Sequence, residues 1–395
     1  MNFQTMRQKD GKHCIQNYGR YAVAFDHGKG SLLYDFEGKE YIDFSSGIGV
    51  NSIGHANPHW VEAISRQAEK LAHVSNLFFT EPYCTLAQRL TTLAGMKATF
   101  FCNSGAEANE AAMKLARKYS HDKYGEGRSV IVTLNQSFHG RTMATLTATG
   151  QPDYHMYFAP FVEGFRYVKA NDEESLKQSI TPEVCAIMVE GIQGEGGVIP
   201  LDREFVERLA SLAMEHDILL IFDEVQTGNG RTGDFFSYQG FGVSPDLVTT
   251  AKGLGGGLPI GALLANEKCS SVLTPGTHGS TFGGNPIACA GANAVLDIVT
   301  EDGFLEQVGR KGDKIRQTVA GWKLPIIKDV RGKGLMLGIE IKDISTKEIM
   351  AGLLEKGLVI LTAGTNVLRL LPPLTITDSE IDQGLRILYK HLVNL

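Results

Sequence analysis

One stretch of the chain reads DILLIFDEVQTG at residues 217–228 and LVTTAKG at residues 247–253. Each part opens with an apolar run that is short enough to be a buried strand. The first run ends at Asp223 and Glu224, and the second leads to Lys252 among glycines. Ligands of open parallel α/β sheets bind beyond the carboxyl ends of the strands. We therefore expect a carboxylate and an amine to face one crevice.

Apolar runs and helical patterns alternate on both sides of this stretch. The runs predict strands at residues 99–102, 130–132, 186–189, 218–222 and 247–250. Helical spacing lies between them, notably at residues 107–119 and 203–216. Strands that are apolar on both faces, with helices between them, are typical of a mostly parallel sheet covered by helices. The predicted fold class is therefore α/β.

The two ends of the chain predict a second, smaller α+β domain. Alternation around Glu37 and Gly38 indicates a hairpin, and residues 330–341 alternate again before a closing helix at residues 378–392. We expect three parts, namely an N-terminal segment that contributes to the small domain (1–55), a large cofactor-binding domain (56–295) and a C-terminal small domain (296–395).

Composition excludes several classes of protein. The 395 residues are 43% hydrophobic and 21% charged, as in an ordinary globular chain. A net charge of -6 and a pI near 6.0 argue against nucleic acid or a membrane as the main partner. Six scattered cysteines show neither metal-ligand nor disulfide spacing. Because no leader pattern or long apolar run is present, we expect a cytoplasmic protein without a metal ion.

Four further segments are candidates for the site. Ser104, Gly105 and Ala106 turn a strand into a helix, which predicts either a phosphate site or a plain N-cap. Phe138 could cover a planar ring or lie in the core, and Arg141 could bind a carboxylate or remain a solvated charge. Ser280 and Thr281 precede a helix, as in an ordinary cap. Arg369 interrupts an apolar strand, so its charge needs a partner such as a carboxylate.

Pyridoxal-phosphate chemistry would use all of these groups together. A lysine forms a Schiff base with the cofactor, and an aspartate keeps the pyridine nitrogen protonated so that the ring withdraws electrons. A helix N-terminus takes the phosphate, and an aromatic side chain covers the ring. Each signal is modest alone, but their order along an alternating α/β chain favours this interpretation.

The sequence resembles the class III, fold type I, pyridoxal-phosphate-dependent aminotransferases, and within them the acetylornithine subgroup. The matching motifs are NSGAEANE (103–110), FHGR (138–141), GEGG (194–197), DEVQTG (223–228), AKG (251–253) and HGSTFGGNP (278–286). The resemblance implies transfer of the δ-amino group of N2-acetyl-L-ornithine to 2-oxoglutarate, in arginine biosynthesis. Succinylornithine, ornithine and 4-aminobutyrate remain alternative donors. Two positions depart from the family pattern, since Ala22 and Gly191 stand where proline is usual.

The resemblance also implies a role for each site residue. Lys252 would carry the cofactor, Asp223 would pair with the pyridine nitrogen, and Gln226 would contact the phenolic oxygen. The other implied cofactor contacts are Ser104, Gly105, Ala106, Phe138, Glu224, Val225 and Thr281, the last from the second subunit of a homodimer. Arg141 would hold the carboxylate of acetylornithine, and Ser280, which lies beside Thr281 on the second subunit, would also contact the substrate. Arg369 would hold that of 2-oxoglutarate, and Glu195 would pair with Arg369 until the dicarboxylate arrives.

A nicotinamide dehydrogenase is the competing class. Residues 228–233 match the Gly-x-Gly-x-x-Gly fingerprint of dinucleotide-binding proteins. That fingerprint must follow a strand at once and open a helix, whereas here five residues intervene and residues 234–240 do not have a helical pattern. The aminotransferase interpretation explains Asp223 and Lys252, and the dehydrogenase interpretation does not.

Overall fold

A computed structural model describes residues 2–395, so residue 1 of the expected segment 1–55 lies outside the described residues. The helices are α1 (Phe3–His13), α2 (Ser46–Gly49), α3 (Pro58–Lys70), α4 (Glu81–Ala94), α5 (Gly105–Tyr124), α6 (Met143–Ala148), α7 (Pro152–His155), α8 (Glu173–Ser179), α9 (Arg203–Glu215), α10 (Ser237–Phe241), α11 (Pro286–Val299), α12 (Phe304–Gly321), α13 (Thr346–Glu355) and α14 (Asp378–Leu392). Along α2 the backbone is left-handed, with positive φ angles from Ser46 to Gly49.

The strands lie in four sheets. They are β1 (Phe25–Lys29), β2 (Leu32–Asp35), β3 (Glu40–Asp43), β4 (Ala98–Cys102), β5 (Val130–Leu134), β6 (Phe165–Val168), β7 (Val184–Val189), β8 (Ile192–Gln193), β9 (Ile199–Pro200), β10 (Leu219–Asp223), β11 (Leu247–Thr250), β12 (Gly261–Ala265), β13 (Ile327–Lys333), β14 (Met336–Ile341), β15 (Leu358–Val359), β16 (Leu361–Ala363) and β17 (Val367–Leu370).

The largest sheet has seven strands in the order β4-β12-β11-β10-β7-β5-β6. β12 is antiparallel to both of its neighbours, and the other adjacent pairs are parallel. Every residue of β7 and β10 is buried, because helices cover both faces of the sheet. The expected mostly parallel α/β sheet is confirmed, including all five predicted strands.

The order of the strands brings the two halves of the opening motif together. β10 and β11 are parallel neighbours, and Asp223 lies opposite Thr249. Lys252 follows three residues beyond Thr249, at the start of a 3-10 turn, Lys252–Leu254. The carboxyl ends of β10 and β11 therefore deliver the acid and the amine to the same edge of the sheet.

The two ends of the chain meet in a smaller sheet, with the order β1-β2-β3-β15. In it, Ile42 of β3 pairs in parallel with Leu358 of β15. The predicted hairpin is β2 and β3, and residues 330–341 fall in the antiparallel pair β13 and β14. No helix within residues 2–395 combines the length and the apolar character required to cross a membrane.

Candidate active site

A cavity of about 410 Å³ opens at the carboxyl ends of β4, β10 and β11. Its wall contains most of the residues predicted for the site, namely Ser104, Gly105, Ala106, Phe138, Arg141, Glu195, Asp223, Val225, Gln226 and Lys252. A larger cavity of about 840 Å³ lies against α1 and residues 16–24, and its wall contains none of the predicted residues. The chemistry therefore assigns the function to the smaller cavity.

Asp223 is buried and accepts three hydrogen bonds. Its Oδ2 accepts from Asn109 Nδ2 and from His139 Nδ1, each at 2.8 Å, and its Oδ1 accepts from the backbone N–H of Val225 at 3.0 Å. These three donors fix the orientation of the Asp223 carboxylate in the cavity wall.

His139, beside Asp223, has a fully buried side chain. Burial lowers its pKa, but the hydrogen bond to Asp223 and the charges of Asp223 and Glu190 leave the pKa raised overall. The Nε2 atom of His139 has no hydrogen-bond partner among residues 2–395, and Nδ1 is the ring nitrogen that lies 2.8 Å from Asp223 Oδ2. Because an ionised carboxylate only accepts, Nδ1 carries the proton of this hydrogen bond.

Lys252 is held in a strained backbone conformation, with a φ of +43°. Positive φ at a residue other than glycine concentrates at functional sites. Burial lowers the pKa of Lys252, opposed by Glu195 and assisted by Arg369. A lowered pKa leaves more of the amine uncharged, which is the nucleophilic form.

The N-terminus of α5 faces the cavity directly after β4. Ser104 caps the helix through its Oγ, which accepts from the N–H of Glu107 at 3.2 Å. The carboxylate of Glu107 turns back to accept from the Asn103 N–H at 2.6 Å. A Cβ on Gly105 would lie 2.7 Å from the methyl carbons of Val225, so only glycine fits this close approach. The first N–H groups of a helix lack intrahelical partners and bind anions.

Arg369 forms a buried bidentate ion pair with Glu195. Its Nη1 lies 2.7 Å from Glu195 Oε1, and its Nη2 lies 3.2 Å from Oε2. Nη1 also donates to Gln226 Oε1 at 3.0 Å. Burial raises the pKa of Glu195, but Arg369 lowers it overall. Arg369 is thus connected to the cavity through Glu195 and Gln226, which both line the cavity wall.

Phe138 and Arg141 lie together at one side of the cavity. The guanidinium carbon of Arg141 lies 4.1 Å from the ring centroid of Tyr154 and 5.6 Å from that of Phe138. Cation–π contacts of this kind hold an arginine while leaving its N–H groups available. Arg141 is exposed, so it can meet an incoming carboxylate.

Four predicted residues lie outside this wall, namely Arg369, Glu224, Ser280 and Thr281. Glu224 is buried elsewhere, where it accepts from Ser237 Oγ and Thr227 Oγ1, each at 2.6 Å. Its side chain points away from the cavity, because consecutive residues at the end of a strand point to opposite sides, and a cofactor contact of Glu224 stays a prediction. Ser280 and Thr281 do not line the cavity of their own chain.

Three residues of the site went unassigned in the sequence. Asn109 and His139 support Asp223, and Glu190 lines the cavity while accepting from the N–H groups of Phe138 at 2.9 Å and Gly194 at 3.2 Å. Burial raises the pKa of Glu190. Glu190 directly follows β7, so the rule that identified Asp223 at the end of β10 could have identified it as well.

Comparisons with known proteins agree with this geometry. The family model for class-III aminotransferases matches residues 15–392. Acetylornithine aminotransferase from Haemophilus ducreyi is 50% identical over 390 residues, which cover 98% of each chain. The structure of N-acetylornithine aminotransferase from Stenotrophomonas maltophilia K279a superposes with a TM-score of 0.85 at 36% identity and 98% coverage of each chain.

A structure of ornithine aminotransferase from Toxoplasma gondii, with PLP partially occupying its active site, superposes with a TM-score of 0.95 at 32% identity. The alignment covers 99% of this chain and 94% of that chain. The chain described here belongs to the class-III aminotransferases. Enzymes of this family depend on pyridoxal phosphate (PLP), which is therefore its cofactor.

The cavity fits PLP. The N-terminus of α5, where Gly105 allows close approach, suits the phosphate. The carboxylate of Asp223 suits a protonated ring nitrogen, and the amine of Lys252 suits an aldehyde. Phe138 offers an aromatic ring in the same wall. The donor and acceptor set of the cavity thus matches the functional groups of the cofactor.

Proposed function

We propose that this aminotransferase moves the δ-amino group of N2-acetyl-L-ornithine to 2-oxoglutarate. The products would be N-acetylglutamate 5-semialdehyde and glutamate, in arginine biosynthesis. Curated relatives that are 45–50% identical over nearly the whole chain are named acetylornithine aminotransferase. In the structure, the observation that carries the proposal is the ion pair of Arg369 with Glu195, since Glu195 lines a cavity that Arg141 also lines.

We assign the cofactor contacts as follows. The N–H groups of Gly105 and Ala106, with Ser104, hold the phosphate, and Phe138 and Val225 cover the ring. Asp223 accepts from the ring nitrogen, and Gln226 donates to the phenolic oxygen. Bound there, PLP supplies an aldehyde for attachment to Lys252 and a ring that withdraws electrons from the substrate. Thr281 of a second subunit completes the phosphate site.

Lys252 would then move the proton of the reaction. Burial lowers the pKa of its Nζ, which favours the uncharged amine that can accept a proton. With PLP bound, Nζ would accept the proton of the substrate carbon that bears the amino group and would later donate that proton back. The strained backbone at residue 252 fixes where Nζ can reach.

Two arginines would serve the two substrates. Arg141 binds the carboxylate of acetylornithine, with Ser280 supplied by the second subunit, while Glu195 keeps Arg369 neutralised. When 2-oxoglutarate binds, its second carboxylate takes the place of Glu195 on Arg369. The bidentate pair seen between Glu195 and Arg369 is the same fork geometry that a dicarboxylate would form.

Ornithine is the alternative donor, because the Toxoplasma gondii structure superposes more closely than the Stenotrophomonas maltophilia one. Backbone superposition reports the fold, whereas the donor is selected by the side chains around its acyl group. The test is to assay acetylornithine, succinylornithine, ornithine and 4-aminobutyrate with 2-oxoglutarate. We expect kcat/KM to be highest for acetylornithine by about tenfold or more. A higher value for ornithine would overturn the proposal.

We also propose a homodimer with its active sites at the interface. An apolar patch formed by Leu77, Phe78, Phe79 and Phe282 is exposed beside Ser280 and Thr281. Phe79 is 96% exposed, and an exposed apolar patch of this kind is typical of an interface. A second subunit that covers this patch would bring its Thr281 toward the neighbouring cavity.

The domain division and the cellular location remain proposals. The division into 1–55, 56–295 and 296–395 is supported by the pairing of β3 with β15, which joins the two ends of the chain. A cytoplasmic location is supported by the free thiol state of the cysteines within residues 2–395.

A further inference from the structure

A buried chain of polar groups ends at Asp223. Thr249 Oγ1 donates to Asn109 Oδ1 at 2.6 Å, which fixes the orientation of that amide. Asn109 Nδ2 must then point the other way, and it donates to the carbonyl of His139 at 2.7 Å and to Asp223 Oδ2 at 2.8 Å. All of these groups are buried between β10, β11 and α5.

The two oxygens of Asp223 are not equivalent. Oδ2 already accepts from Asn109 and His139, whereas Oδ1 accepts only from the N–H of Val225. Each carboxylate oxygen has two lone pairs, so Oδ2 is filled and Oδ1 has one lone pair left. The Nδ1–H group of His139 is thus one of the two donors that occupy Oδ2.

We propose that His139 is a positioning residue, which donates to Asp223 Oδ2 and thereby keeps Oδ1 aimed at the ring nitrogen of PLP. The proposal rests on the cofactor assignment made above. His139 itself touches neither substrate nor cofactor in it, and acts only through Asp223.

The test compares PLP with 1-deazapyridoxal 5'-phosphate, which lacks the ring nitrogen. Dissociation constants of both cofactors are measured by equilibrium dialysis with wild type, His139→Leu and His139→Asn. In Asn, the side-chain N–H lies where Nδ1 lies in His, so this variant keeps the donor. His391 is a matched control, because it is buried in α14 and its Nε2 also lacks a partner among residues 2–395.

We expect His139→Leu to weaken PLP about tenfold and the deaza analogue less than about twofold, since the lost hydrogen bond matters only when Asp223 pairs with a nitrogen. His139→Asn should restore PLP binding to within about threefold of wild type. His391→Leu should change neither constant.

Equal weakening of both cofactors by His139→Leu would show a merely structural role and overturn the inference, as would no weakening at all. If His139→Leu does not fold, His139→Phe, which keeps a planar ring, replaces it in the same comparison. Failure of the wild type to bind PLP would instead refute the cofactor assignment, so the two failures are distinguishable.

Discussion

Nη1 of Arg369 lies 2.7 Å from Oε1 of Glu195, although the two residues are 174 positions apart in the chain. Arg369 comes from β17, and Glu195 comes from the connection between β8 and β9. Both charges are largely withdrawn from water, so removing one partner leaves the other unpaired. The pair therefore joins the C-terminal region to the wall of the cofactor cavity.

Arg369→Ala should raise the KM for 2-oxoglutarate far more than the KM for the amine donor. Losing a charge-assisted bidentate contact costs about 1.5–3 kcal/mol, which corresponds to roughly 10- to 100-fold. Steady-state kinetics with each substrate varied in turn will measure this split. Arg310→Ala, which breaks the exposed pair with Asp378, is the control and should leave both constants unchanged. Equal effects of Arg369→Ala on both substrates would refute the division of labour with Arg141.

Lys252→Ala should fold but should not bind PLP covalently, because no other amine is placed at the cofactor aldehyde. The measurement is peptide mass spectrometry after borohydride reduction, which fixes the pyridoxyl group on its lysine. Lys311→Ala is a matched control, since burial also lowers the pKa of Lys311 but its Nζ donates to the Leu374 carbonyl outside the cavity. A pyridoxyl group on any residue of the Lys252→Ala protein would contradict the assignment.

Phe79→Asp should convert the dimer into monomers with weak PLP binding. Burying one phenylalanine side chain stabilises the dimer by about 1.5–3 kcal/mol. Because a two-fold interface buries Phe79 of both subunits, the substitution removes this contribution twice. The dimer dissociation constant should therefore rise by more than about 100-fold, as measured by analytical ultracentrifugation. Met214→Asp changes an equally apolar position on α9 that is 83% exposed, and it should leave the dimer intact. A Phe79→Asp protein that remains dimeric would rule out this patch as the interface.

Glu190→Gln should change how the stability of the cofactor-free protein depends on pH. Burial raises the pKa of Glu190 in the folded protein above 4.5, so the native state binds more protons than the unfolded state. The contribution of Glu190 to the free energy of unfolding is therefore complete below pH 4.5, and it is lost as the pH rises toward neutrality. The wild-type free energy of unfolding, minus that of Glu190→Gln, should fall between about pH 5 and about pH 7.5 in urea titrations.

Glu340→Gln is the control for this measurement. Hydrogen bonds from Lys328 and Arg331 lower the pKa of Glu340 to about 2, so it is ionised in both states across that range of pH. The corresponding difference for Glu340 should be flat. A flat difference for Glu190 as well would show that burial does not raise its pKa.

The sheet was predictable because its strands carry a local signal. β7 and β10 are apolar throughout, and their length separates them from helices. The direction of β12 was not predictable, since an apolar strand has the same pattern in either direction. The partner of Glu224 was also hidden, because Ser237 lies thirteen positions further along the chain.

The substitution at residue 191 acquires its explanation only in the fold. A Cβ on Gly191 would lie 2.4 Å from Ser237 Oγ, which donates to the buried Glu224. A proline at this position would displace that hydroxyl group from its carboxylate. Glycine at residue 191 therefore leaves room for the hydrogen bond from Ser237 to Glu224. For Ala22 the structure offers no comparable explanation.

By itself, the sequence determined the class of fold and the order of the chemical groups, because apolar periodicity and the residues at strand ends are local properties. It placed Asp223 and Lys252 at one edge of a parallel sheet before any coordinate was known. Only the tertiary structure decided which of the adjacent acids, Asp223 or Glu224, faces the cavity. It also supplied the donors that orient Asp223, since hydrogen bonds from Asn109 and His139 depend on packing between elements that are far apart in the chain.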